Sequence, residues 1–467
     1  MRHIRVDLCV IGAGSGGLSL AAGAVQMGAS VALVEGHKMG GDCLNFGCVP
    51  SKALISAAAR AHALSAVRPP TDTDYAAAME HVAQTIATIA PHDSQDRFEA
   101  MGVQVIRAMG HFIAPDRIQA GDVQISARRF VIATGARAAV PPIPGLDQVP
   151  YLTNETLFDL RHRPDHLVII GGGPIGMEMA QAHRRLGCHV TVIEGVRALS
   201  REDPEMAAVV LDRMRAEGVQ IVEGQSVIGV CADDAGQILV DLADGRRVVG
   251  SHLLLAAGRL PNLESLELGV AGVAWGKHGL TLGADLRTTN WRVYGVGDVA
   301  GPLQFTQTAA YHAGVVIRQV LFALPARSKT SHIAWATYTD PELAQVGLTE
   351  AEARTQYGAR LQVLRAPFSG NDRAIATGKT DGLIKVMVVR GRPVGVSIVG
   401  AGAGELIGLW ALALANGLKM SAIANTVLPY PTLSEVSKRA ASAYFTPKLF
   451  ESPAVKWLIR LIQRRLP

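Results

Sequence analysis

Two stretches of this chain share one plan: an apolar strand feeds a glycine-rich turn that opens a helix. In the first, Val6–Val10 leads into Gly12-Ala13-Gly14-Ser15-Gly16-Gly17, a helical stretch follows, and the strand Ser30–Val34 ends at Glu35. In the second, Leu167–Ile170 leads into Gly171-Gly172-Gly173-Pro174-Ile175-Gly176, then a helix, then the strand His189–Ile193 ending at Glu194. The copies are offset by 159 residues at Gly12/Gly171, at Gly17/Gly176 and at Glu35/Glu194. One G-x-G-x-x-G is weak evidence. Two, each between strand and helix and each with an acid 23 positions after its first glycine, predict two dinucleotide sites. Gly12 and Gly171 make the tight turns, Gly14 and Gly173 admit a pyrophosphate, and Gly17 and Gly176 let helix pack on strand. The helix N-terminus then meets the phosphate charge. Glu35 and Glu194 accept hydrogen bonds from a ribose diol, and an acid at the second site disfavours a 2′-phosphate. NAD is therefore expected there, with Arg197 and Arg201 keeping NADP open. Further turns follow strands at Thr134-Gly135 and at Gly258-Arg259, and the strand Val293–Gly295 delivers Asp298 into a crevice.

Just after the first copy lies Gly40-Gly41-Asp42-Cys43-Leu44-Asn45-Phe46-Gly47-Cys48-Val49-Pro50-Ser51-Lys52. On a regular helix, cysteines five apart are separated by about 7.5 Å of rise and about 140° of rotation. A disulfide needs roughly 4.4–6.8 Å between Cα atoms. The segment must be irregular if the pair bonds, and Gly47 supplies the freedom. Pro50 suits the first turn of a helix, and a helix N-terminus near Cys48 favours its thiolate. A buried structural pair or half of a metal site is the alternative. Zinc sites usually show two-residue spacing and a second pair, whereas Cys9, Cys188 and Cys231 are isolated in apolar surroundings. The pair reads as a redox-active disulfide, and no metal ligands are assigned.

A chain of 467 residues implies several domains. With 49% apolar residues, 5% aromatics and 49 glycines, it resembles glycine-rich α/β nucleotide-binding chains. Five cysteines, an odd number, argue against a secreted disulfide scaffold. The start carries charge within its short apolar run and reads as no signal peptide. The apolar run Leu406–Leu418 is too short to span a bilayer. A cytoplasmic location is expected. The net charge of +5 is modest, and much of it sits in Lys448, Lys456, Arg460, Arg464 and Arg465 near the end. Without interleaved aromatics, nucleic acid is not an expected partner. The stretch Ala454–Leu466 puts Trp457, Leu458, Leu461 and Ile462 near one helical face. A terminal helix docked on its own protein is the first reading, and weak membrane-surface contact the second.

Two dinucleotide motifs with a C-x-x-x-x-C pair after the first resemble the class I pyridine nucleotide–disulfide oxidoreductases over nearly the whole chain. The resemblance implies an α/β fold with two Rossmann-like domains, for FAD and NAD, plus a C-terminal α+β dimerisation domain. The expected division is 1–150 for FAD and the disulfide, 151–280 for NAD(P), 281–331 returning to the FAD domain, and 332–467 for dimerisation. It implies a homodimeric enzyme passing electrons from nicotinamide through FAD to Cys43–Cys48. Cys43 would then meet the substrate and Cys48 the flavin, with Lys52 near the flavin and paired to Glu178. Glu35 and Asp298 would bind FAD and Glu194 would bind NAD, with Gly41, Thr134, Gly135 and Gly258 as further cofactor-binding candidates. The landmarks Tyr338–Glu342 and Ala403–Ile407 fit the dimerisation domain.

The family's His-Pro-Thr-x-x-Glu motif reads here as Tyr430-Pro431-Thr432-Leu433-Ser434-Glu435. Histidine there serves as general base near neutral pH, and a phenol with a reference pKa of about 10 is a poor substitute. His312 is a weaker candidate for that base. Three readings follow: a dihydrolipoamide dehydrogenase-like reductase of a disulfide/dithiol substrate; a mercuric reductase-like enzyme serving a metal ion or quinone-like acceptor; and a flavin-bearing redox sensor or assembly partner. No cysteine follows Cys231 to hand a metal ion inward.

Overall fold

The computed structural model of the chain describes residues 2–466. It forms two compact units, one of residues 1–195 and 219–329, the other of 196–218 and 330–467.

The first unit is built on two parallel sheets. In one, Arg2–Ile11 lies between Val31–Val34 and Val123–Ile132, and Gln104–Ile106 and Val293–Gly295 join in parallel. Arg117–Ala120 and Gly110–Ala114 extend that sheet antiparallel. The other sheet runs Gln220–Glu223, His189–Glu194, His166–Ile170, His252–Leu255, all parallel. Strands covered on both faces read as continuous apolar runs rather than alternating ones. Leu8–Ile11, Val31–Val34 and Leu167–Ile170 are buried throughout, which is why both motifs were legible. Each glycine turn is followed by a helix, Ser15–Gln26 and Pro174–Arg185, with Pro174 in the first position, where its missing N–H costs nothing.

The second unit holds a five-stranded antiparallel sheet in the order Ala334–Thr337, Glu342–Gly347, Arg392–Gly400, Leu383–Val389, Leu361–Pro367. Val346, Val386 and Ile398 share a core with Ile407, Trp410 and Ala413 of the helix Ala403–Ala415 and with Val436 and Ala440 of Glu435–Ala443. The apolar run around Leu406 is thus a core helix, and no described helix is long and apolar enough to cross a membrane. The helix Pro453–Gln463 also forms, but none of its residues is buried. It takes no part in the core under that sheet.

A buried ion cluster ties the helix Pro204–Ala216 to this sheet. Lys385, 2% exposed, places its ammonium 2.8 Å from Asp203, 2.6 Å from Glu205 and 2.9 Å from Glu350. Arg365 bridges Glu205 and Glu350, and Asp203 caps the helix by accepting from the Glu205 N–H at 3.0 Å. Removing one partner of such a buried pair leaves a bare charge and typically costs about 3–5 kcal/mol. Lys385→Ala is expected to lose stability of about that size in urea unfolding, because Asp203 would stay buried without its cation. A loss under about 1 kcal/mol, the size of an exposed pair, would show that the cluster is not cohesive.

Candidate active site

Both glycine turns show the same division of labour. A Cβ at Gly12 would sit 2.3 Å from the Ala133 carbonyl oxygen, and one at Gly171 2.3 Å from that of Ala256. At Gly17 and Gly176 it would lie 1.9 and 2.0 Å from the carbonyls of Gly12 and Gly171. These four positions exclude side chains by packing alone. The middle glycines differ: Gly173 has nothing within 4 Å, and Gly14 only the Gly41 Cα at 3.8 Å. Their bareness leaves open space at a helix N-terminus, as a pyrophosphate needs. The donor and acceptor sets fit dinucleotides at both turns. Glu35 accepts from the Ala13 and His37 N–H groups, each at 2.6 Å, and Glu194 from Gly172 N–H at 2.8 Å. Each acid is therefore oriented by its own turn.

The cysteine segment rests on the first turn. Gly40 N–H donates to the Ala13 carbonyl at 2.9 Å. A Cβ at Gly41 would fall 2.7 Å from the Gly14 Cα, so the two backbones touch without side chains. A short helix, Gly41–Asn45, carries Cys43 and stops; Gly47 breaks the path, and a new helix, Cys48–Leu64, begins on Cys48 itself. The expected irregularity is this break. A side chain at Gly47 would crowd Asp42, whose Oδ2 lies 2.9 Å from the virtual Cβ.

The break brings the two sulfurs together, with the Cys43 thiol hydrogen-bonded to Cys48. That bond lowers the pKa of Cys48 most; burial opposes it, and Thr306 and the Lys52 charge add to it, bringing the thiol to about 6. The same bond, followed by burial, pushes Cys43 up. The pair thus splits into a thiolate at Cys48 and a protonated thiol at Cys43. Thr306 Oγ1 is 3.4 Å from the Cys48 sulfur and opens the helix Thr306–Val320. One turn below Cys48, Lys52 forms an ion pair at 2.7 Å with Glu178 of the second motif's helix.

Asp298 follows the strand Val293–Gly295 and faces Arg259, whose Nη2 is 3.4 Å from Asp298 and 3.2 Å from Asp42. Burial raises the Asp298 carboxyl and Arg259 partly restores it. The Nε of Arg259 is buried with no partner among the described residues, an unmet donor beside a carboxylate, which suits a polyhydroxyl chain. Thr134 donates to the Asn262 carbonyl at 2.6 Å, Gly135 accepts from the Asn262 N–H at 3.0 Å, and Gly258 turns with φ +124° just before Arg259. His312 is buried, accepts from Gly297 N–H at 3.4 Å, and is pushed down to about 4 by burial. With Nδ1 engaged and a pKa so low, it is a weak base near neutral pH.

Tyr430 and Glu435 belong to the second unit. Tyr430 is 70% exposed, and its hydroxyl donates to Asp372 Oδ2 at 2.7 Å. That bond raises the phenol's pKa. Arg439 holds Asp372 at 3.4 Å from the other side, and Asn371 Nδ2 donates to the Thr432 carbonyl at 3.1 Å. Glu435 Oε2 is buried and accepts no hydrogen bond among the described residues.

Thr306, Asp372 and the pairing of Arg259 were not foreseen. Arg259 stands in a run already singled out for its glycine, but its partners Asp42 and Asp298 are distant in sequence and meet it only in the fold. Thr306 carries no local signal. Of the three remaining cysteines, Cys9 and Cys188 are buried as expected, but Cys231 is exposed, at an edge of a small antiparallel sheet.

Comparison with known proteins agrees with this geometry. The pyridine nucleotide-disulphide oxidoreductase family matches residues 6–313, and its dimerisation domain matches 333–441. A mercuric reductase of Lysinibacillus sphaericus is 33% identical over 454 residues, covering 94% of this chain and 82% of that protein. A dihydrolipoyl dehydrogenase of Thermus scotoductus is 34% identical, with 94% and 97% covered. The Cu(II) complex of the HOCl-induced flavoprotein disulfide reductase RclA from Escherichia coli superposes with a TM-score of 0.86 at 27% identity, covering 94% of this chain and 99% of that one. The dimerisation domain assigns a homodimeric assembly. The chain belongs to the pyridine nucleotide-disulphide oxidoreductases and is an FAD-dependent enzyme that uses NAD(P)H.

Proposed function

We propose that this enzyme reduces an acceptor that needs no neighbouring general base, a thiophilic metal ion or quinone-like molecule, with Cys43 as the thiol that meets it. The observation that carries this reading is the hydrogen bond from Tyr430 to Asp372. A phenol already donating to a carboxylate is harder to ionise, so it cannot take a proton from a thiol near neutral pH. The relatives named mercuric reductase support a metal ion. The relative named dihydrolipoyl dehydrogenase keeps a disulfide as the second reading.

FAD, when bound, supplies two-electron transfer between the nicotinamide and the disulfide. Glu35, Gly14 and Asp298 would hold it, and Glu194 and Gly173 would hold the nicotinamide nucleotide. Cys48 stays a thiolate because the Cys43 thiol, Thr306 and Lys52 all favour the charged form. Glu178 fixes where the Lys52 charge stands. Cys43 keeps its proton until an acceptor arrives, which makes it the outgoing thiol. The same reading places the protein in a reducing cytoplasm, where a dithiol can cycle.

In the reduced enzyme, alkylation of Cys48 by iodoacetamide should titrate near pH 6. Loss of a donor destabilises the thiolate, so Cys43→Ala should move that midpoint up most, and Thr306→Val and Lys52→Met less. Peptide mass spectrometry across pH reads it; a midpoint unmoved in Cys43→Ala would refute the assignment. Glu194→Ala should raise KM for NADH more than for NADPH, since the acid prefers a free 2′-hydroxyl; the reverse would make NADP the partner.

An acceptor panel under NADH decides the rest. Metal ions or quinones should turn over while lipoamide lags by roughly 10²–10⁴, the usual worth of general acid–base help. Tyr430→His should recover part of that lipoamide deficit. Wild-type turnover fastest on lipoamide would establish the disulfide reading instead.

A further inference from the structure

The dimerisation-domain match ends at Ala441, and the chain beyond it forms a turn, Pro447–Glu451, and the helix Pro453–Gln463. No residue of that helix is buried. At 100° per residue, its apolar side chains from Trp457 round to Ile459 sweep an arc of about 200°. Lys456, Arg460 and Arg464 fall within about 80° on the opposite side, with no acid among them. Trp457, on the border between the two, is 65% exposed, and Leu458, Ile459 and Ile462 are exposed as well. An isolated soluble helix with so wide a bare apolar arc is unfavourable in water.

We propose that this helix docks the enzyme on an anionic lipid bilayer, lying in the plane of the interface. Eleven residues span about 16 Å, too short to cross a hydrocarbon core of about 30 Å. An apolar arc backed by cations alone matches an anionic surface in both hydrophobic contact and charge. The border position of Trp457 suits a ring that sits at headgroup depth. Arg465, just past the helix, can reach up to phosphates with its stem in the apolar layer.

A second copy of the chain is a poorer occupant. Pairing two such helices would cover the apolar arcs but leave the cations, which lie on the opposite side, without an anionic partner. Two helices per homodimer, by contrast, can engage one surface together, which multiplies a weak single contact. Each basic side chain near an anionic surface strengthens binding roughly five-fold, so replacing three costs about a hundred-fold.

The test uses the FAD-loaded dimer and vesicles of mixed phosphatidylglycerol and phosphatidylcholine, with pure phosphatidylcholine as control. The protein should sediment with the anionic vesicles, weakly or not at all with neutral ones, and be released as salt rises. Lys456→Gln with Arg460→Gln and Arg464→Gln should lose about a hundred-fold in vesicle affinity. Trp457→Glu with Ile462→Glu should lose binding too, while both variants keep FAD absorbance and NADH oxidation with a soluble acceptor. Three results would overturn the proposal: no binding of the wild type to anionic vesicles, equal binding by chain truncated after Phe445, or variants that bind normally. A truncated chain that turns monomeric, with a wild type that ignores vesicles, would assign the helix to the partner copy instead.

Discussion

The contact on which the site depends contains no side chain. Gly41 lies against Gly14 with their backbones so close that a Cβ at Gly41 would stand 2.7 Å from the Gly14 Cα. This seats the cysteine segment on the dinucleotide turn itself. From there the chain makes five residues of helix, breaks at Gly47 and starts again on Cys48. The break turns two cysteines, which a continuous helix would hold about 140° apart, into hydrogen-bonded neighbours. It also leaves Cys48 at a helix N-terminus, where negative charge is favoured. The redox pair is thus a consequence of turn geometry before it is one of cysteine chemistry.

Electrostatics then divides the labour. Around Cys48, two hydrogen-bond donors and a lysine outweigh burial, and the thiol ionises readily. Around Tyr430 the sign is opposite: an acceptor carboxylate holds the phenol's proton in place. A single-carboxylate difference decides this, since the same phenol facing a cation would ionise more easily. The chain thus favours a thiolate at Cys48 and a protonated phenol at Tyr430. On the proposed reading, a tyrosine at position 430 would change the range of acceptors rather than the path of electrons up to Cys43.

The two nucleotide turns were legible because their requirements are local. Strand, glycine, helix and acid lie within some 25 residues of one another, and the structure shows packing at Gly12 and Gly17 and open space at Gly14 and Gly173. The cysteine run was legible for the same reason. Thr306 was not: it reaches Cys48 across 258 residues and has no motif of its own. Asp372 lies 58 residues before Tyr430 and was invisible until folding joined them. Lys385 and Asp203, 182 residues apart, belong to no motif and turn out buried together. Amphipathic pattern predicted the last helix but not its bare surroundings, because pattern gives the apolar face and only packing says what covers it.

Lys52 and Glu178 show how one pair connects the two nucleotide motifs. The carboxylate is nearly buried, its side chain 6% exposed, while the lysine is 35% exposed. A pair so unequal in exposure is worth little as a stability device, because water screens the lysine end. Its value lies in position. A carboxylate held in the second motif's helix fixes the ammonium that follows Cys48 by one helical turn, so the cation cannot swing away into solvent. Losing Glu178 would leave that charge mobile and the thiolate less supported; losing Lys52 would leave a buried carboxylate without its cation. The asymmetry lets a lysine in the cysteine run and a glutamate in the second motif's helix, 126 residues apart, act as one element: the glutamate sets the location, and the lysine holds a charge one helical turn from Cys48.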